Sequence, residues 1–197
     1  MMRRILLSLV LAMCGIVAAR AEQDVYNPLA VGLRWDVDVE MKPPSGETVH
    51  GTAVREIIGT EKVNNYTYFV VQTSFTGLPK MKDTTMYRRK SARGVFAIAA
   101  LDPNKLEHLE AVLPLTVGQS WKTTVSGQSI TSAVEGLETF KVGDKTYENC
   151  VKISYQTNNG AVSGTYYQAP DIGNVQETTT MGGSVFKFTL KKFSGLK

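Results

Sequence analysis

Cysteine and histidine are nearly missing from this chain, with two of each in 197 residues. Cys14 falls in the apolar N-terminal stretch, so Cys150 is the only thiol after it and no intrachain disulfide can staple the fold. Cys150 lies in an apolar-alternating segment and reads as a buried, inert thiol. His50 and His108 are far apart, with no His or Cys at metal-ligand spacing near either. His50 reads as an ordinary strand residue and His108 as a surface residue; no metal and no cofactor is expected. There is no G-x-S-x-G, and Gly182-Gly183 opens no helix that would cradle a phosphate. No catalytic residue is assigned, and the chain is read as a non-enzyme.

An apolar run of membrane-spanning length is also lacking. Ile5 to Val17 is broken by Ser8 and Gly15 and falls short of the ~20 residues a spanning helix needs. It follows Arg3 and Arg4 and precedes Ala19-Arg20-Ala21, a small-x-small pattern. Residues 1–21 are therefore expected to be a secretory signal peptide cleaved near Ala21, giving a periplasmic or extracellular protein. The alternative is a lipoprotein anchored at Cys14, preceded by Met13 where a small residue is usual. Excess charge is scarce as well. Arg3, Arg4 and Arg20 supply three of the +4 net charges, leaving +1 from Glu22 onward. No nucleic-acid partner is expected from so balanced a chain.

What the chain does have is an eight-residue frame that occurs twice. Pro28-Leu29-Ala30-Val31-Gly32-Leu33-Arg34-Trp35 and Pro114-Leu115-Thr116-Val117-Gly118-Gln119-Ser120-Trp121 share P-L-x-V-G-x-x-W and contain both tryptophans of the chain. We read this as an internal duplication, with halves 22–112 and 113–197 forming one compact domain. Pro28, Leu29, Gly32 and Trp35, with Pro114, Leu115, Gly118 and Trp121, are the expected structural anchors. Pro and Gly would shape the turn, while Leu, Val and Trp hold it to the core.

Between these frames, strand signals dominate. Trp35, Val37, Val39 and Met41 alternate with Asp36, Asp38 and Glu40, the period of a half-buried strand. Similar stretches, punctuated by turn residues such as Pro43-Pro44-Ser45-Gly46, predict about 10–11 antiparallel strands in an all-β fold. The sheet should be curved into a half-barrel or split into a sandwich. One short helix or an irregular linker is expected around Asp102 to Leu109, which begins with an N-cap residue and Pro. The acidic row Asp36, Asp38 and Glu40 reads as a solvated strand face rather than a cation site or a carboxylate pair. The basic run Tyr87 to Arg93 reads as a charged edge strand, with binding to an anionic lipid head as the alternative.

The two frames, together with Thr165-Tyr166-Tyr167-Gln168-Ala169-Pro170-Asp171-Ile172-Gly173-Asn174-Val175, resemble a loose group of bacterial secreted proteins and lipoproteins of unknown function. In that group a PLxxGxxW opening and a YxAPGVGxV strand-turn-strand recur. The resemblance covers most of residues 26–180; Asp171 stands where Gly is common and Ile172 where Val is. Some such envelope proteins are similar in outline to half-barrel lipoprotein carriers, and that likeness of fold implies a concave face able to take an apolar small molecule or lipid. Tyr66, Tyr68, Phe69, Phe96, Tyr166, Tyr167, Phe186 and Phe188 are the aromatics available to line it. A structural or interaction module of the cell envelope, binding another envelope protein, is the alternative, and a carboxylate-dependent hydrolase ranks third.

Overall fold

The computed structural model describes residues 25–63, 65–79, 81–99 and 107–195. The expected signal peptide and Cys14 lie outside the described residues.

Twelve strands form one antiparallel sheet. The first six are β1 (Arg34–Lys42), β2 (Val49–Val63), β3 (Tyr66–Thr76), β4 (Thr84–Ser91), β5 (Gly94–Ile98) and β6 (His108–Val112). The second six are β7 (Ser120–Val125), β8 (Gln128–Val142), β9 (Lys145–Thr157), β10 (Val162–Ala169), β11 (Gly173–Met181) and β12 (Ser184–Ser194). Each set is a simple meander, and the two are joined where β1 pairs with β12, from Arg34 opposite Ser194 to Lys42 opposite Val185. The sheet curls until β6 and β7 lie beside each other without a hydrogen-bonded ladder, giving a nearly closed barrel. Twisted strands in a sheet this wide curl naturally, and near-closure leaves two short free edges among the described residues.

The eleven expected strands are all present. The twelfth, β6, occupies the end of the segment read as a helix or linker. His108 and Leu109 are extended and pair with Ala97 and Phe96 of β5; residues 101–106 lie outside the described residues. Leu, Glu and Ala favour a helix locally, and pairing with β5 overrides that preference.

β4, which carries the basic run, is not the edge strand expected from its charge. It pairs with β3 on one side and β5 on the other. Its charges are accommodated by alternation. Arg88 turns into the barrel and pairs with Glu110, while Arg89 turns outward to Glu107, with its guanidinium 4.1 Å from the Tyr66 ring centroid and 4.6 Å from that of Phe96.

Three apolar clusters hold the wall. One gathers Leu33, Trp35, Ile57, Val71, Cys150, Ala169, Val175 and Leu190. A second is built on Trp121, Val134, Val151 and Ile153 with Val95 and Ala111. The third is built on Val39, Ala53 and Leu78. Cys150 is fully buried, and burial pushes its thiol pKa up, as befits an inert core residue.

Candidate functional site

The two frames adopt the same local geometry. Gly32 N–H donates to Ile57 O at 2.8 Å and Ile57 N–H to Leu33 O at 2.9 Å; Gly118 N–H donates to Val134 O and Val134 N–H to Gln119 O, both at 2.9 Å. Ile57 and Val134 each sit at a register shift in a fifteen-residue strand. Gly32 and Gly118 have φ of +90° and +83°, where a side chain is strained. Both tryptophans are buried. Pro28 lies against Gly173, Leu29 packs on the cluster around Trp35, and Leu115 packs on the one around Trp121, whereas Pro114 is exposed. The shared valine does not anchor the turn as expected, since Val31 and Val117 are 54% and 53% exposed. The frames also differ at one atom: Trp35 Nε1–H donates to Ile172 O at 2.6 Å, whereas Trp121 Nε1 is buried with no partner among the described residues.

Inside the barrel lies a cavity of about 370 Å³, within the range of small-molecule sites. Trp35, Ile57, Val71, Met86, Val95 and Ile130 form its apolar wall, and Pro28 and Leu29 of the first frame reach it too. Its polar wall is charged. Arg55 comes from β2, Arg88 from β4, His108 and Glu110 from β6, Tyr155 from β9, Tyr166 and Gln168 from β10, and Glu177 from β11. Arg55, Asn174 and Glu177 also line a smaller adjoining space of about 40 Å³.

The charges are partly matched. Arg88 Nη2 is 2.5 Å from Glu110 Oε1. Tyr155 donates its hydroxyl to Glu177 Oε1 at 3.0 Å and lies 2.5 Å from Thr179 Oγ1. Burial pushes both the Tyr155 and Tyr166 hydroxyls well above the usual tyrosine range, so both stay protonated as donors. Burial also lowers the His108 pKa from 6.5, with Arg88 adding to the effect and Glu110 and Glu107 opposing it. Desolvation lowers the Arg55 pKa, as does the nearby Arg88, against the pull of Glu177 and Glu110. Several lumen atoms are left over. Gln168 Nε2 donates to Asn27 Oδ1 at 3.0 Å, while Asn27 Nδ2, Gln168 Oε1, Arg88 Nε and Glu110 Oε2 are buried without partners among the described residues.

The residues singled out from sequence distribute as follows. His108 is not a surface residue but part of the lumen wall. His50 is exposed on β2, opposite Glu40. Asp36 and Asp38 pair on the outer face with Arg34 at 2.9 Å and Lys191 at 3.6 Å, so the acidic row is the solvated face expected. Of the eight aromatics proposed to line a concave face, Tyr166 lines the main cavity and Phe188 the adjoining one. Tyr66, Tyr68 and Phe96 instead surround the Arg89–Glu107 pair on the outside. Among the described residues, no three His, Cys, Asp or Glu side chains gather as a metal site. Arg55 and Glu177 escaped the sequence reading, although each carried a signal. Arg55 shares strand parity with Ala53 and Ile57, and Glu177 with Val175; a charge on the inward parity of a strand marks a lumen.

No family model matches the sequence, and no curated protein matches it. Two solved structures are similar in shape. A protein inferred to be exported, with a YmcC-like fold, from Bacteroides fragilis NCTC 9343 is 12% identical with a TM-score of 0.52, covering 86% of this chain and 99% of its own. A protein inferred to be a lipoprotein, from Parabacteroides distasonis ATCC 8503, is 10% identical with a TM-score of 0.37, covering 86% and 98%. The first of these likenesses shows that the nearly closed all-β barrel is similar to the YmcC-like fold.

Proposed function

We propose that the chain is an exported, non-enzymatic binding protein that holds a small amphipathic ligand in its barrel lumen. The observation that carries this reading is a cavity of about 370 Å³ with one apolar wall and one wall of unmatched donors and acceptors. Such a wall binds and orients, because buried polar groups cost free energy until something satisfies them. It also refines the expected ligand. A purely apolar guest would leave Arg55, Asn27 and Gln168 unanswered, so the guest carries a polar head. Export is supported by the leader-like first 21 residues and accords with the inferred export of the similar Bacteroides protein. The two halves are read as descendants of one six-stranded unit, which the matching bonds of the two frames support.

The test is native mass spectrometry of the protein purified from the envelope of its own cell. We expect a bound species that leaves on denaturation, and a denatured chain whose mass begins at Glu22. A lumen filled by water alone ends the reading, and a lipidated Cys14 redirects it to a membrane-anchored form. The second reading, an interaction module, draws on the unladdered edges of β6 and β7, which offer backbone groups to an added strand. Mild crosslinking in the envelope separates the two: a protein partner captured through β6 or β7, with an empty lumen, favours the module.

A further inference from the structure

The lumen charges are not equivalent. Arg88 has Glu110 in contact, and Glu177 is held by Tyr155. Arg55 stands among these pairs without joining either. Among the described residues, no carboxylate reaches ion-pair distance of its guanidinium. Glu177 and Glu110 act on it from farther away. Arg55 sits within the barrel wall, and the surface it keeps open faces the cavity. A guanidinium withdrawn from bulk water and left unpaired is costly, and an incoming anion removes that cost with charge-assisted, often bidentate, hydrogen bonds.

The surroundings narrow the anion further. Trp35 lies directly across the β1–β2 ladder from Arg55, and Ile57, Val71 and Met86 continue the apolar wall. A head bound at Arg55 therefore has an apolar body beside it. Glu110 and Glu177 share the chamber, so a second negative charge on the ligand would meet repulsion. Of the four lumen charges, Arg55 is the one with no contacting polar partner among the described residues, so a single carboxylate head is the addition that answers it.

We propose that the lumen binds a small amphipathic carboxylate, its head paired with the Arg55 guanidinium and its apolar body against Trp35, Ile57, Val71 and Met86. This rests on the binding reading above and adds the chemistry of the head group.

Calorimetric titration of the full protein with octanoate, octan-1-ol, octyl phosphate and octylamine tests it, with the emission of a Trp121→Phe variant, which carries Trp35 alone, as a second readout inside the lumen. Octanoate should bind about tenfold or more tighter than octan-1-ol, as expected for a desolvated charge-assisted pair. Octyl phosphate should bind more weakly than octanoate, and octylamine weakest of the four. Arg55→Met should erase the octanoate advantage over octan-1-ol, and a cooperative urea transition in the variant shows that it folds. Arg55→Lys should retain part of the preference. Equal affinity for octanoate and octan-1-ol, a preference for octyl phosphate or octylamine, no octanoate binding below millimolar concentration, or full octanoate binding by Arg55→Met each overturns the proposal. A neutral or cationic species found by native mass spectrometry would overturn it while leaving the binding reading standing; an empty lumen would end both.

Discussion

The two tryptophans offer a controlled comparison within one molecule. They occupy matched positions in matched frames and are buried alike, yet one indole N–H has a carbonyl at 2.6 Å and the other has none. Truncation to Phe removes similar volume at both sites, so the variants differ in that one loses a satisfied N–H and the other an unsatisfied one. Trp35→Phe should destabilise the protein by about 1 kcal/mol more than Trp121→Phe in urea unfolding, the usual net worth of such a bond. Equal losses would show that the Trp35 bond contributes nothing net.

A second residue-scale expectation concerns acid. His108 has a pKa below its ordinary 6.5, first because of burial and then because of Arg88, with Glu110 and Glu107 opposing. The folded state therefore resists protonation more than the unfolded chain does. Stability from this group is complete above 6.5 and falls as the pH drops through the lower folded value. His50, the other histidine, is exposed. The urea midpoint should thus decline as the pH falls below 6.5, and His108→Gln should flatten that decline. An unchanged slope in the variant would remove His108 as its source.

At the scale of elements, glycines of similar appearance in sequence carry very different constraints. A Cβ on Gly94, at the start of β5, would stand 2.1 Å from Ala111 O on β6, whereas one on Gly118 would meet nothing within 4 Å. Gly94→Ala should cost about 3 kcal/mol or more through clash and backbone strain and loosen the β5–β6 pairing, seen as faster amide exchange there. Gly118→Ala should cost only the backbone penalty, about 1–2 kcal/mol. Similar losses at both sites would mean that β6 yields to the intruding carbon.

The same contrast explains what was legible beforehand. β1 was readable because its apolar and acidic residues alternate strictly, and β8 and β9 because turn residues bracket them. β6 was not, since its five residues take their conformation from β5 rather than from their own preferences. The lumen was hidden for a related reason. The inward parity of Arg55 and Glu177 marks each as facing the sheet's apolar side, but only closure of the sheet brings β2 and β11 to face one chamber.

At the scale of the whole molecule, the halves depend on each other. The first and last strands close on one another across a separation of nearly the entire chain, and the lumen takes Arg55, Arg88 and Glu110 from one half and Tyr155, Tyr166, Gln168 and Glu177 from the other. Severing the chain after Val112 would free the edges of β1 and β12 and open the apolar wall around Trp35, Ile57 and Val71 to water. Two bare edges and an unpaired apolar face are what a lone sheet tolerates least. Expressed separately, 22–112 and 113–197 should each lack cooperative unfolding and show a red-shifted emission. Each fragment carries one tryptophan, so emission follows them individually. Mixed at high concentration, they should recover the blue-shifted emission of two buried indoles and a single cooperative transition. A half that folds stably alone would mean the six-stranded meander is self-sufficient, and that the β1–β12 ladder joins two finished units instead of completing one.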